Sequence, residues 1–347
     1  MQNMQQIQTA LTRLLGISTP IVLAPMGAVV SPEMAAAVTL AGGFGFLGAA
    51  LATSVQIKQR IQAVRKILGA VPEAPLPIGV GVIGWCLDKT ELGEDPLIPT
   101  ILAERPKAIW LAFGDNLGRY VKTVREYDAN RNFRTLIFVI VNSVEDATKA
   151  ANVWGVDVLV AQGIESGGHG GSKAPTLSIL LTAILRVIPQ NGPVVIGAGG
   201  IATGAQIASL LTTGASGVAL GTRFLFTHEA QYSAASKEVL LAAGIHSTER
   251  SMAFDEVNRT MGWPRDIDGR AIANKIMDDL KEGISLKERM ERHDSGKENG
   301  EKDRLVVWAG MAVGLTDQLK CTADVVKELH EETLEFLKRA ASLIPAS

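Results

Sequence analysis

Cysteine is almost missing from this chain, with 2 in 347 residues, Cys86 and Cys321, far apart in the sequence. That spacing excludes a disulfide scaffold and offers no metal-ligand pattern, so both read as reduced thiols of an intracellular protein. Aromatic residues make up only 5%, which argues against a binding surface built on stacked rings. The net charge is -2 and no basic block occurs, so affinity for nucleic acid through phosphate neutralisation has no source. No run approaches the roughly 18 to 20 apolar residues needed to span a bilayer. The opening residues MQNMQQIQTALTRLLG lack a long apolar core and carry one basic residue, unlike a secretory signal or presequence. The ending Pro345-Ala346-Ser347 is not a peroxisomal tripeptide, which leaves a soluble, cytoplasmic protein as the expectation.

Familiar catalytic motifs are missing as well. There is no Walker lysine loop, HExxH, CxxC or GxSxG. Carboxylates are scattered, without a pair suited to glycosidic chemistry or a ring suited to a metal. Residues 21–27 hold no GxGxxG turn, which lowers the standing of an open dinucleotide-binding sheet.

What the chain does have is glycine, 35 residues, and short apolar runs, with hydrophobic residues at 47%. PIVLAP at 20–25, FGFLGAA at 44–50, PLPIGVGVI at 75–83, AIWLA at 108–112 and TLIFVIV at 135–141 read as strands. So do 157–161, PVVIG at 193–197 and GVAL at 217–220. Helical stretches separate them: one opened by Ser31-Pro32-Glu33, then 54–68, 116–127, 144–154, 176–187 and 203–212. Eight strands alternating with helices predict an α/β fold, a (β/α)8 TIM barrel of parallel strands with right-handed crossovers. After Phe226 the alternation stops. Residues 228–304 contain no convincing strand and predict a helical insertion after strand 8. The predicted division is therefore a barrel of 1–227 and 305–347, with 228–304 as a lid over its mouth or a peripheral decoration. LVVWAGMAVGL at 305–315 is expected to pack back on the barrel. A final amphipathic helix over 323–343 buries Val326, Leu329, Phe336, Leu337 and Ala340, with Thr333 interrupting the stripe.

Two places look functional. DVLVAQGIESGGHGG at 157–171 ends a strand in a glycine-rich loop that displays His169, and Gly167, Gly168, Gly170 and Gly171 would admit a planar ligand. GAGG at 197–200 and GTR at 221–223 follow the seventh and eighth strands, where barrels gather backbone amides on a phosphate. The remaining histidines, 228, 246, 293 and 330, sit in polar or helical contexts and read as surface residues.

LAPMGAVVSPEMAAAVTLAGGFGFLGA at 23–49, AQGIESGGHGG at 161–171, the 193–225 stretch and WPRDIDGRAIANK at 263–275 resemble the nitronate monooxygenase family, formerly 2-nitropropane dioxygenases. The resemblance implies a TIM-barrel flavoprotein with non-covalent FMN. By position, Ala24, Pro25 and Met26 would edge the flavin ring, and Gln162 would meet the flavin or its ribityl chain with Gly167 and Gly168 nearby. Ala198, Gly199, Gly200, Gly221 and Thr222 would hold the phosphate. His169 matches the histidine used as catalytic base on a nitroalkane α-proton, and no metal is implied. The implied partners are a nitronate or nitroalkane and O2, with no nucleic acid and no membrane; a homodimer is compatible. Two departures stand out: Gly81 where many relatives carry Asn, and Ile140 and Val141 where relatives carry Gln or Lys. Both remove polar contacts to the flavin pyrimidine end. The alternatives are an FMN- and NAD(P)H-dependent reductase of enoyl thioesters or quinones, since one barrel serves both chemistries, and a flavin-binding protein without turnover.

Overall fold

The computed structural model describes residues 5–344; residues 1–4 and the C-terminal tripeptide Pro345-Ala346-Ser347 lie outside the described residues. Eleven strands occur in chain order among these residues: β1 Ile21–Leu23, β2 Phe46–Gly48, β3 Leu76–Ile83, β4 Pro106–Ala112, β5 Leu136–Val141, β6 Val158–Gln162, β7 Gly168–Gly171, β8 Val194–Ala198, β9 Val218–Leu220, β10 Thr248–Arg250 and β11 Ile267–Ile272. Eight of them form one parallel sheet in the order β1-β9-β8-β6-β5-β4-β3-β2. A parallel bridge between Val22 of β1 and Phe44, just before β2, links the two outer strands, so the sheet is nearly closed. The protein is a (β/α)8 barrel.

The strand runs are almost wholly buried because helices cover the outside and side chains fill the inside. Four aromatic residues, Phe44, Phe46, Trp110 and Phe138, pack together in that interior. Phe46 meets Trp110 and Phe138 edge-on at 5.2 Å, and Trp110 stacks on Phe138 at 5.8 Å, which plugs the cylinder below its mouth. The helices begin where side-chain oxygens can take up free amides. Thr53 with Gln56 and Thr203 with Gln206 form capping boxes. The last helix, Thr322–Ser342, buries Val326 and Leu329 as the pattern predicts, but Thr333 is buried rather than an interruption. Its hydroxyl donates to the Leu329 carbonyl at 2.6 Å, which removes the cost of placing a polar group there.

The region after the last barrel strand departs from the expectation of helices alone. β10 and β11 lie within 228–304 and pair antiparallel with each other, and β11 pairs with β7, whose sequence is GHGG. The sequence predicts a loop for this glycine-rich run. It is a strand because the inserted segment supplies a partner edge that no local pattern announces. Residues 305–309 pair with this segment, and Gly310 and Met311 then pack back on the barrel, their amides donating to the Thr222 hydroxyl and the Glu165 carbonyl. Ile272 donates to the Val307 carbonyl, Ala271 bridges Trp308, and the chain rejoins the barrel where Thr227 bridges Lys320. The segment has apolar cores of its own, one around Leu240, Ile272 and Val307 and another around Phe254, Val257 and Ile276. We call residues 228–320 the cap. Two histidines with a surface expectation are buried, His293 within the cap and His330 on the final helix, whereas His228 and His246 are exposed. Among the described residues no helix is long and apolar enough to cross a membrane, and no group of His, Cys, Asp and Glu is arranged to hold a metal ion.

Candidate active site

At the C-terminal ends of the barrel strands lies a cavity of about 390 Å³. Ala24, Pro25 and Met26 line it from the turn after β1, and Gln162, Gly167, Gly168 and His169 from β6 to β7. Ala198, Gly199, Gly200, Gly221 and Thr222 close its other end after β8 and β9. All twelve residues singled out from the sequence therefore share one cavity. Phe113, Tyr232, Trp263 and Trp308 line it too, and the last three come from the cap.

The first rim turn is held by Arg60, whose guanidinium donates to the carbonyls of Gly48 at 2.7 Å and Val30 at 2.6 Å. Burial lowers the pKa of that guanidinium. Gly81 has a local reason to be glycine, since a Cβ there would come within 2.3 Å of the Pro25 side chain. Any polar side chain at 81 would displace the proline from the rim. Ile140 also lines the cavity and adds apolar surface there.

At the opposite end, Gly199 and Gly200 have φ of 103° and 68°, conformations that favour glycine. Their amides find no backbone acceptor among the described residues. Gly200 is pinned by Gln206, whose Nε2 donates to its carbonyl at 2.6 Å. Gly221 and Thr222 begin the short helix Thr222–Leu225 beside this turn, because β8 and β9 are neighbours in the sheet. The Ser166 hydroxyl is buried on the cavity wall and makes no hydrogen bond among the described residues. The Trp110 indole N–H on the cavity floor is likewise unpartnered. Buried polar atoms of this kind call for a partner, and both border the cavity.

The glycines around His169 answer to packing within the chain as well. A Cβ on Gly167 would meet the Gly310 nitrogen at 2.3 Å, one on Gly170 the Gln162 Oε1 at 2.8 Å, and one on Gly171 the Asn142 side chain at 2.8 Å. Packing against the chain itself requires these three. Gly168 alone, with φ of 63°, has nothing within 4 Å of a built Cβ. Gln162 is also partly occupied, since its Nε2 donates to the His169 carbonyl at 3.1 Å and its Oε1 accepts from Asn142. The Glu165 carboxylate accepts from the Leu177 amide and so caps the next helix.

His169 lies in β7 opposite Gly269 of β11. Its ring stacks on Trp263 with centroids 3.4 Å apart and planes 10° from parallel, and Trp308 sits at 4.7 Å. Its Nε2 lies 3.0 and 2.9 Å from the two carboxylate oxygens of Asp255, a residue with 0% exposure. Asp255 also accepts from the Thr260 hydroxyl at 2.7 Å and the Trp263 indole N–H at 3.0 Å, both on Oδ1. Gly269 leaves room for this group, since a Cβ there would come within 2.3 Å of Trp308 and 3.2 Å of the imidazole Nε2. The Tyr232 hydroxyl donates to the Trp308 carbonyl and accepts from its amide, and burial pushes its pKa above the usual phenol value. Asp255, Trp308 and Tyr232 are the residues that sequence reasoning missed. One signal was present, an acidic residue between Phe254 and Val257 on a short helix whose other face is polar. Both cysteines are free, and burial pushes the Cys86 thiol up to about 11, which keeps it protonated.

Comparison with known proteins agrees with this architecture. The family model described as nitronate monooxygenase matches residues 8–82 and 89–332. The chain is 31% identical to the nitronate monooxygenase of Neurospora crassa over 96% of each protein. Among solved structures, FabK from Thermotoga maritima superposes with a TM-score of 0.79 at 24% identity, covering 98% of this chain and 100% of the other, a likeness of fold. A nitroalkane oxidase from Streptomyces ansochromogenes superposes at 0.75 with 25% identity, covering 96% of this chain and 100% of that one. With a matching family model along nearly the whole barrel and cap, and a curated relative aligned end to end, the chain belongs to the nitronate monooxygenase family of oxidoreductases.

Proposed function

We propose that the protein binds FMN along the barrel mouth and oxidises alkyl nitronates, together with the nitroalkanes that give them, using O2. The products are a carbonyl compound and nitrite or nitrate. The observation that carries this reading is one imidazole, braced by stacking and by a buried carboxylate, on the wall of a cavity whose far end is a pair of glycine turns.

The residues present fit a flavin. Unpartnered amides at Gly199 and Gly200, beside the start of helix Thr222–Leu225, suit the anionic end of FMN. The orphaned Ser166 hydroxyl supplies a hydrogen bond next to the Gly199 turn, since a Cβ on Gly199 would come within 3.3 Å of the Ser166 Cβ. Gly168 and Gly221 leave open faces toward the cavity, and the Ala24–Met26 turn offers an edge for the ring. When bound there, FMN supplies redox chemistry with O2.

The chain's own groups do the rest. Trp263, Trp308 and Phe113 give an apolar wall that keeps water from the substrate carbon. The His169 imidazole accepts the α-proton of a neutral nitroalkane as general base. A substrate that arrives as the nitronate needs no base, and the protonated ring then balances its charge. The cap acts as the lid of the substrate side.

Two measurements test this reading. The protein as isolated should be yellow and release FMN on heating. Anaerobic mixing with a nitronate should bleach the chromophore, whereas NAD(P)H alone should not. Rapid bleaching by NAD(P)H would support the reductase alternative instead, and no bleaching by either would support flavin binding without turnover.

A further inference from the structure

The buried Asp255 carboxylate has no part in the steps above, yet every polar contact it makes bears on His169. Building on the reading of His169 as a base, we propose that Asp255 is a positioning residue that holds the imidazole in its Nε2–H form. The bare Nδ1 is then the nitrogen offered to the substrate. Three donors surround this carboxylate. Trp263 Nε1–H can only donate, and together with the Thr260 hydroxyl it occupies Oδ1. Oδ2 is left facing His169 Nε2 at 2.9 Å, with no other partner among the described residues. An ionised carboxylate has no proton to give, so the hydrogen in that contact belongs to the ring. A neutral imidazole has one N–H, and with Nε2 carrying it, Nδ1 keeps its lone pair. Nδ1 has no hydrogen-bond partner among the described residues, and the side chain lines the cavity.

The step then balances. The substrate α-C–H bond breaks, its electron pair stays on carbon and delocalises into the nitro group, and an N–H bond forms at Nδ1. The resulting imidazolium is neutralised across the Nε2–H···Oδ2 contact by a charge already in place. The carboxylate keeps its own proton count throughout, as in other carboxylate–histidine pairs.

Asp255→Asn is an informative variant because the site dictates which way its amide points. The Trp263 indole N–H can only donate and so requires an acceptor at the Oδ1 position, where the Thr260 hydroxyl can donate as well, so the amide oxygen remains there. The NH2 group takes the place of Oδ2 and directs N–H at His169 Nε2. That nitrogen must become an acceptor, and the ring proton moves to Nδ1. The base loses its lone pair with almost no change in shape.

The test uses the flavin-loaded protein labelled with 15N-histidine, with His169 assigned by comparison with His169→Asn. In the wild type at a pH where the ring is neutral, Nε2 should be protonated and Nδ1 bare. The reverse pattern would overturn the proposal without any variant at Asp255. In Asp255→Asn the proton should appear on Nδ1. Neutral nitroalkane oxidation should fall about 10³-fold or more, and nitronate oxidation less than about tenfold. An unmoved proton, or equal losses on both substrates, would sink the idea. If His169→Asn leaves nitroalkane oxidation intact, the reading of His169 as base fails. The nitrogen spectra still decide whether Asp255 sets the tautomer.

Discussion

The barrel and the cap contribute to the cavity in different currencies. The barrel supplies main chain: the glycine turns after β8 and β9 and the turn after β1, carried on strands buried on both faces. The cap supplies side chains: Asp255, Trp263, Trp308 and Tyr232. Their interiors differ too. The barrel is held by one large aliphatic core, whereas the cap has several small apolar clusters, flanked by partly buried ion pairs such as Asp279 with Arg304 and Arg289 with Glu256. Main-chain amides are the same in every residue, so an anion site survives extensive sequence change provided the turns remain. Side-chain contacts do not, so under the proposed reading reaction and substrate choice would be set where cap meets barrel.

That division can be broken at several points. The largest effect is expected from His169→Asn, where cap and barrel meet. Oxidation of neutral nitroalkanes should drop about 10²- to 10⁴-fold while nitronates lose much less, as steady-state kinetics on both substrates would show. Equal losses would mean that the histidine is not chiefly a base. Next, Phe138→Ala in the barrel plug should cost about 3–5 kcal/mol in denaturant unfolding, because its ring is fully buried among Phe46 and Trp110. Gly221→Leu should weaken flavin retention by about tenfold or more without unfolding the barrel. Its φ of -108° is open to any residue, and a side chain there would enter the cavity near Met26. Fluorescence titration of the apoprotein with FMN would measure it, and undiminished affinity would remove Gly221 from the phosphate site.

The smallest effect is a pH dependence confined to the cap. Burial lowers the pKa of His293, which donates from Nδ1 to the Arg304 carbonyl. A buried base with a depressed pKa binds fewer protons folded than unfolded. Its contribution is therefore complete above the ordinary histidine pKa and is lost as pH falls through the window below it. Hydrogen exchange in helix Leu286–Glu298 should accelerate over that window before exchange in the barrel strands, and His293→Gln should flatten the difference. Simultaneous loosening of both regions would contradict an independent cap.

The same contrast explains how much is legible in the sequence. Parallel strands covered by helices are continuous apolar runs, so AIWLA, TLIFVIV and PVVIG stand out and the eight-stranded order follows. The glycine turn after β8 is legible because Gly199 and Gly200 take up positive φ with bare amides, a conformation that glycine favours. β10 and β11 are not legible. Their sequences, TER and IDGRAI, carry charges that become acceptable only through tertiary partners, as when Arg250 reaches Asp268 and the Gly170 carbonyl. Asp255 is one of 36 acidic residues, and its proximity to His169 spans 86 positions of chain, which no local periodicity encodes. The glycines at 167, 170 and 171 do mark close approaches, but what approaches them is protein.

The strand bearing the imidazole, β7, grows out of barrel strand β6 and is stitched by its ladder with β11 to the roof above it. Imidazole and roof cannot separate without breaking that ladder. Under the proposed reading, any shift of the roof that admitted a guest would therefore carry the base with it, and entry would be coupled to alignment.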